Sequence, residues 1–177
     1  EQEIVESPFY LLLRHFRQIG FGELAFPGGT HTRHAHALCA MHVASKLFDA
    51  ATANAQISTP SAMRFRAAVR LAVLCHDLGH MPLSHSSERI APQRSTLKLP
   101  AWLTQPKSTH ASAHSDRATH EDFTARIILD SSLTELINRL YQPVGVTAEH
   151  IVGLIAGRSP STEFEFHEAG LDWTPLL

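Results

Sequence analysis

Apolar residues recur along this chain mostly at helical spacing. Ser7-Pro8 reads as a helix start, with Ser as N-cap and Pro in the first turn, and the pattern runs over 9–18 until Gly20 ends it. Gly22, Pro27, Gly28 and Gly29 make 21–30 a turn-rich connection. A long helix is predicted from about residue 32 to about 53. After a loop, Thr59-Pro60 opens another, which carries Met63, Phe65, Ala68, Val69, Ala72 and Val73 up to His76-Asp77. Gly79 is expected to terminate it, and a short helix from Pro82 to reach about Ile90. Helical patterning resumes over 119–129, 131–141 and 147–156, and strict alternation is confined to 162–167. The expectation is an all-α fold of about six or seven helices in one domain spanning 1–177. Residues 91–118, with Pro92, Pro100, Pro106 and many Ser, Thr and His, read as a long surface insertion.

A chain of 177 residues, 44 % of them hydrophobic, is long enough to bury one core. A net charge of -2 supplies no field that would drive association with nucleic acid or a membrane. The run 71–75 is far too short to cross a bilayer, and the acidic residues before Ser7 do not resemble a targeting peptide. Cys39 and Cys75 fall inside apolar helical patterns and read as buried free thiols, which points to a reducing, cytoplasmic setting.

Thirteen histidines against fifteen lysines and arginines shift attention to where the imidazoles fall. Phe65, Val69 and Ala72 lie eleven, seven and four residues before His76, so helical geometry turns that residue towards the core with Asp77 beside it. A carboxylate in such a place needs a partner, and a divalent cation with nitrogen and oxygen ligands is one solution. The alternative is a core histidine next to a turn-capping aspartate. His80 follows one turn later and His85 comes after a Pro-led turn. His34 and His36 open the long helix about 200° apart, so one metal cannot take both, and periodicity does not choose between them. Arg33 beside them offers a planar fork suited to phosphate, or a solvated helix start. In the run 119–124, Thr119 can cap a helix whose first turn holds Glu121 and Asp122, and a carboxylate there would equip His120 as a proton donor.

Taken together, His36 followed by His76-Asp77 resembles the HD superfamily of metal-dependent phosphohydrolases. The run 17–20, then 25–33, then His76-Asp77-Leu78-Gly79-His80-Met81-Pro82-Leu83-Ser84-His85, then His120-Glu121 followed by Thr124, is similar to its deoxynucleoside triphosphate triphosphohydrolase branch. The resemblance implies an HD-domain helical bundle and selects His36 over His34, giving His36, His76 and Asp77 as ligands of a divalent ion (Mn, Fe, Mg or Zn). It further implies that Gln18, Arg33, His80 and His85 contact a nucleotide substrate, and that His120 is a general acid supported by Glu121. The implied reaction is attack of metal-activated water on the α-phosphorus of a (deoxy)nucleoside triphosphate, releasing nucleoside and tripolyphosphate. Relatives of this kind commonly form homo-oligomers. The sequence departs from the branch at His34, Ala35, Ala37 and Cys39. It also has no Asp-, Tyr- and Arg-rich run after Thr147, so the last metal ligand is expected on a helix beyond residue 177. Two other readings are an HD phosphatase or phosphodiesterase acting on monophosphates or cyclic nucleotides, and a non-catalytic nucleotide-sensing module of a larger protein.

Overall fold

A computed structural model describes residues 1–104, 116–161, 166–168, 170–174 and 177. The fold is all-α, built around a long hairpin of α3 (Arg33–Thr52) and α4 (Thr59–Cys75). Helix α4 is buried on a wide face by Phe65, Ala68, Val69, Leu71, Ala72, Leu74 and Cys75. It therefore meets α3 on one side and α8 (Ala148–Ala156) on another, while α6 (His120–Leu129) and α7 (Ser132–Tyr141) pack beyond α8. Short helices α1 (Gln2–Val5), α2 (Pro8–Leu12) and α5 (Ala101–Thr104) lie against this frame. The core joins Tyr10, Phe65, Leu74, Ile128, Ile137 and Ile151. Among the described residues, no helix is long and apolar enough to cross a membrane.

Side-chain caps set most of the helix starts. Ser7, Thr32, Ser58 and Thr119 each accept a backbone N–H from the first turn of α2, α3, α4 and α6. Helix α4 opens at Thr59-Pro60 as expected, with Ser58 as its cap. Helix α2 stops well short of residue 18, passing through a 3₁₀ turn at Leu13–His15. Phe16 then turns extended, because the next residues pair with the start of α3. Arg33 N–H donates to Phe16 O, and Gln18 N–H to His31 O, at 2.9 and 3.1 Å.

Three other expectations change. Helix α4 ends at Cys75 rather than at Gly79. Gly79 has no left-handed φ; a Cβ there would collide with backbone atoms of His120, Phe123 and Thr124. Its role is to let the start of α6 approach. The stretch after Pro82 is a 3₁₀ turn, Ser84–Ile90, entered through Ser84 at φ 54°. Cys75 is buried, but Cys39 is exposed on α3.

The flanks of 91–118 pack onto the bundle. Gln93 bridges Arg117, Ala118 N–H donates to Pro92 O at 2.9 Å, and Ala91, Leu103 and Ala118 are buried. Residues 105–115 of that stretch lie outside the described residues. So do 162–165 of the alternating segment, which continues into a two-stranded antiparallel ribbon, β1 (His167–Glu168) and β2 (Leu171–Asp172). Phe166 stacks edge-on against Phe65, and the Glu168 carboxylate accepts Ser58 N–H and Ser61 O–H, so an acid sits at the positive end of α4.

Candidate metal centre and histidine nest

The end of α4 and the start of α3 bring His36, His76 and Asp77 together, with one ligand atom from each lying within 4.8 Å of the others. Asp77 is buried, whereas His36 and His76 are each 34 % exposed and face a cleft lined by Ala40, Ala72, Val73, Leu154 and Ile155. His76 therefore stands at the rim of the core rather than in it. Its Nδ1–H donates to Val73 O at 2.6 Å, so in the neutral ring the lone pair is on Nε2, 3.3 Å from Asp77 Oδ1. His36 Nε2 is 4.0 Å from Asp77 Oδ2. One nitrogen anchored and the other left bare is the usual arrangement of a ligating histidine. Two imidazoles and a carboxylate suit a borderline divalent ion. His34, by contrast, turns away to meet the ring of Tyr10 edge-on at 5.0 Å.

Arg33 is 2 % exposed. Its Nη1 donates to Asp77 Oδ2 at 2.6 Å, and its Nη2 donates to Ser84 Oγ at 2.8 Å and to Gln18 O at 3.1 Å. Both ends of the fork are engaged, so the contacts of Arg33 are those of a residue that holds Asp77 and the Ser84 turn. Gln18 contributes its backbone carbonyl here, while its side-chain Oε1 is buried with no partner among the described residues. Burial opposes ionisation of Asp77. The hydrogen bond from His80 and the charges of His76 and Arg33 prevail, holding its carboxyl well below the usual range. Burial pulls His36 and His80 below the ordinary histidine value, against the attraction of Asp77.

Next to this group lies a nest of three histidines. His80 and His120 stack at 3.9 Å between ring centres, and His85 stands edge-on to both at 5.0 Å. The carboxylate that serves His85 and His120 is Glu88, not Glu121. Glu88 Oε1 accepts His120 Nδ1–H at 2.6 Å and His85 Nδ1–H at 3.2 Å. Glu121 turns instead into a cleft shared with Arg94, Leu103 and Arg158. Sequence reasoning missed Glu88 because it lies 32 residues from His120; the local signal was its place three residues after His85. Thr124 joins the two groups, accepting Gly79 N–H at 2.8 Å and donating to His76 O at 3.0 Å.

Comparison with family models found none that matches the chain. Over 82 residues, 46 % of the chain, it is 39 % identical to the mouse deoxynucleoside triphosphate triphosphohydrolase SAMHD1 and 38 % identical to the human protein of that name. Over 88 residues it is 34 % identical to an uncharacterized protein of Methanocaldococcus jannaschii. The chain spans 12, 13 and 17 % of the lengths of these three relatives, respectively.

Proposed function

From this relationship to HD-domain deoxynucleoside triphosphate triphosphohydrolases over about half the chain, we propose that the protein hydrolyses (deoxy)nucleoside triphosphates to nucleoside and tripolyphosphate. The observation that supports it best is the convergence of His36, His76 and Asp77 beside a nest of three more histidines. His36, His76 and Asp77 would hold a divalent ion, whose chemistry when bound is to polarise a phosphoryl oxygen and a water molecule. Water adds to the α-phosphorus and gives up a proton to solvent, the bond from phosphorus to the nucleoside O5′ breaks, and O5′ leaves needing a proton. His120 is the group proposed to give it. Its Nδ1–H is fixed on Glu88, which leaves Nε2 to carry the proton. His80 and His85 would supply donors for phosphate oxygens once each carries a proton on its second ring nitrogen, Gln18 Oε1 an acceptor for the nucleoside, and Arg33 keeps Asp77 in place. Glu121 would act on His120 only indirectly, through the first turn of α6.

The test is product analysis with purified protein, Mn²⁺ and deoxynucleoside triphosphates. Tripolyphosphate release that disappears in Asp77→Ala and falls about a hundredfold or more in His120→Ala is the expected result. Orthophosphate or linear nucleotide as product would favour the phosphatase or phosphodiesterase reading. Nucleotide binding without turnover would favour a sensing module.

A further inference from the structure

We infer that His80, His85 and His120 form a second site for a borderline divalent ion such as Zn²⁺, separate from the His36, His76 and Asp77 group. One ring nitrogen from each lies within 4.8 Å of the others. What distinguishes the nest from a chance cluster is how the ring nitrogens are used. Glu88 takes Nδ1–H of both His85 and His120, so the neutral rings present Nε2 as a bare lone pair. His80 Nε2 faces Asp77 Oδ1 at 3.3 Å, and its Nδ1 is buried with no hydrogen-bond partner among the described residues. Each histidine thus has one nitrogen tied to a carboxylate and one uncommitted. Carboxylates placed behind imidazoles in this way orient them and raise their basicity towards a metal.

An uncommitted buried nitrogen is costly unless something takes its lone pair. Three imidazoles are the donor set of open tetrahedral zinc sites, and they suit Zn²⁺, Co²⁺ or Ni²⁺ far better than Mg²⁺. His80 and His120 now stack, so an ion that binds both must fan the rings apart. His85, with a 69 % exposed side chain, is free to follow. For the hydrolysis proposed above, such an ion takes the lone pair that His120 needs for proton transfer and is therefore an inhibitor; that consequence rests on the functional reading, whereas the site itself does not.

Equilibrium dialysis of the purified protein against Zn²⁺ alone, with elemental analysis, tests the site without any assay of activity. The wild type is expected to bind one more ion per chain than His85→Ala, and Glu88→Gln to bind that ion about tenfold or more weakly. His85 is largely exposed, so its truncation leaves the fold in place, which far-UV circular dichroism checks. His36→Ala, which lies outside the nest, should lose an ion while retaining the one that His85→Ala abolishes. Equal zinc content in wild type and His85→Ala overturns the inference. Unchanged content in His36→Ala would instead overturn the first metal group and leave the second standing.

Discussion

Asp77 and Arg33 form a contact in which neither charge is easily spared. A buried ion pair adds little net stability, but removing one partner strands the other and costs about 3–5 kcal/mol. Arg33→Gln should therefore destabilise the protein by about that amount in the presence of a chelator, measured by denaturant unfolding. Saturating Mn²⁺ should recover part of the loss, because an ion held by His36, His76 and Asp77 replaces the missing positive charge. An equal loss with and without Mn²⁺ would argue against that ligand set. The sequence made His76-Asp77 legible as a pair needing a counterpart. It did not show that Arg33 is that counterpart, because the two lie 44 residues apart and only the tertiary fold joins them.

Helix boundaries were legible wherever a hydroxyl caps the first turn, as Thr119 does for α6 and Ser131 for α7. They were misread where tertiary contacts override local pattern. Phe16 leaves the helix to pair with Arg33, and α4 ends before its apparent glycine stop. Gly79 lies where α6 crosses the end of α4 with no room for a methyl group. Gly79→Ala is expected to push α6 away, at a cost of about 2–3 kcal/mol in thermal or denaturant unfolding. It should also separate His120 from His80 and weaken any activity that needs both. An alanine variant of unchanged stability would mean that the two segments do not meet as described.

The molecule as a whole has an acid-sensitive joint apart from the residues of the proposed chemistry. His150 on α8 is buried, and Arg64 Nη2, which can only donate, reaches its Nε2 at 3.1 Å. Thr147 N–H is likewise aimed at Nδ1, at 3.1 Å, so a donor faces each ring nitrogen and a second proton on the ring is opposed from both sides. Burial first, and then the charge of Arg64, depress its pKa to about 4. The unfolded chain takes up a proton near pH 6.5, whereas the folded chain resists until about pH 4. Stability is therefore full above about pH 6.5 and falls as the pH drops through that window. Replacing His150 with Gln should remove one proton's share of the slope, read from melting temperatures between pH 4 and 7. None of this was visible in the sequence, where His150 was one histidine among thirteen. The all-α architecture was visible, because amphipathic periodicity is a property of each segment by itself.

The Thr124 hydroxyl that receives Gly79 N–H and reaches His76 O gives that amide an unusual property. Its hydrogen is held by a side chain from another helix, so it can be traded for solvent deuterium only when α6 lifts from the end of α4. The exchange rate of this one amide is therefore a gauge of how often the two halves of the centre part company. Any bound ion or nucleotide that bridges both halves should slow it, whereas one gripping a single half should leave it unchanged.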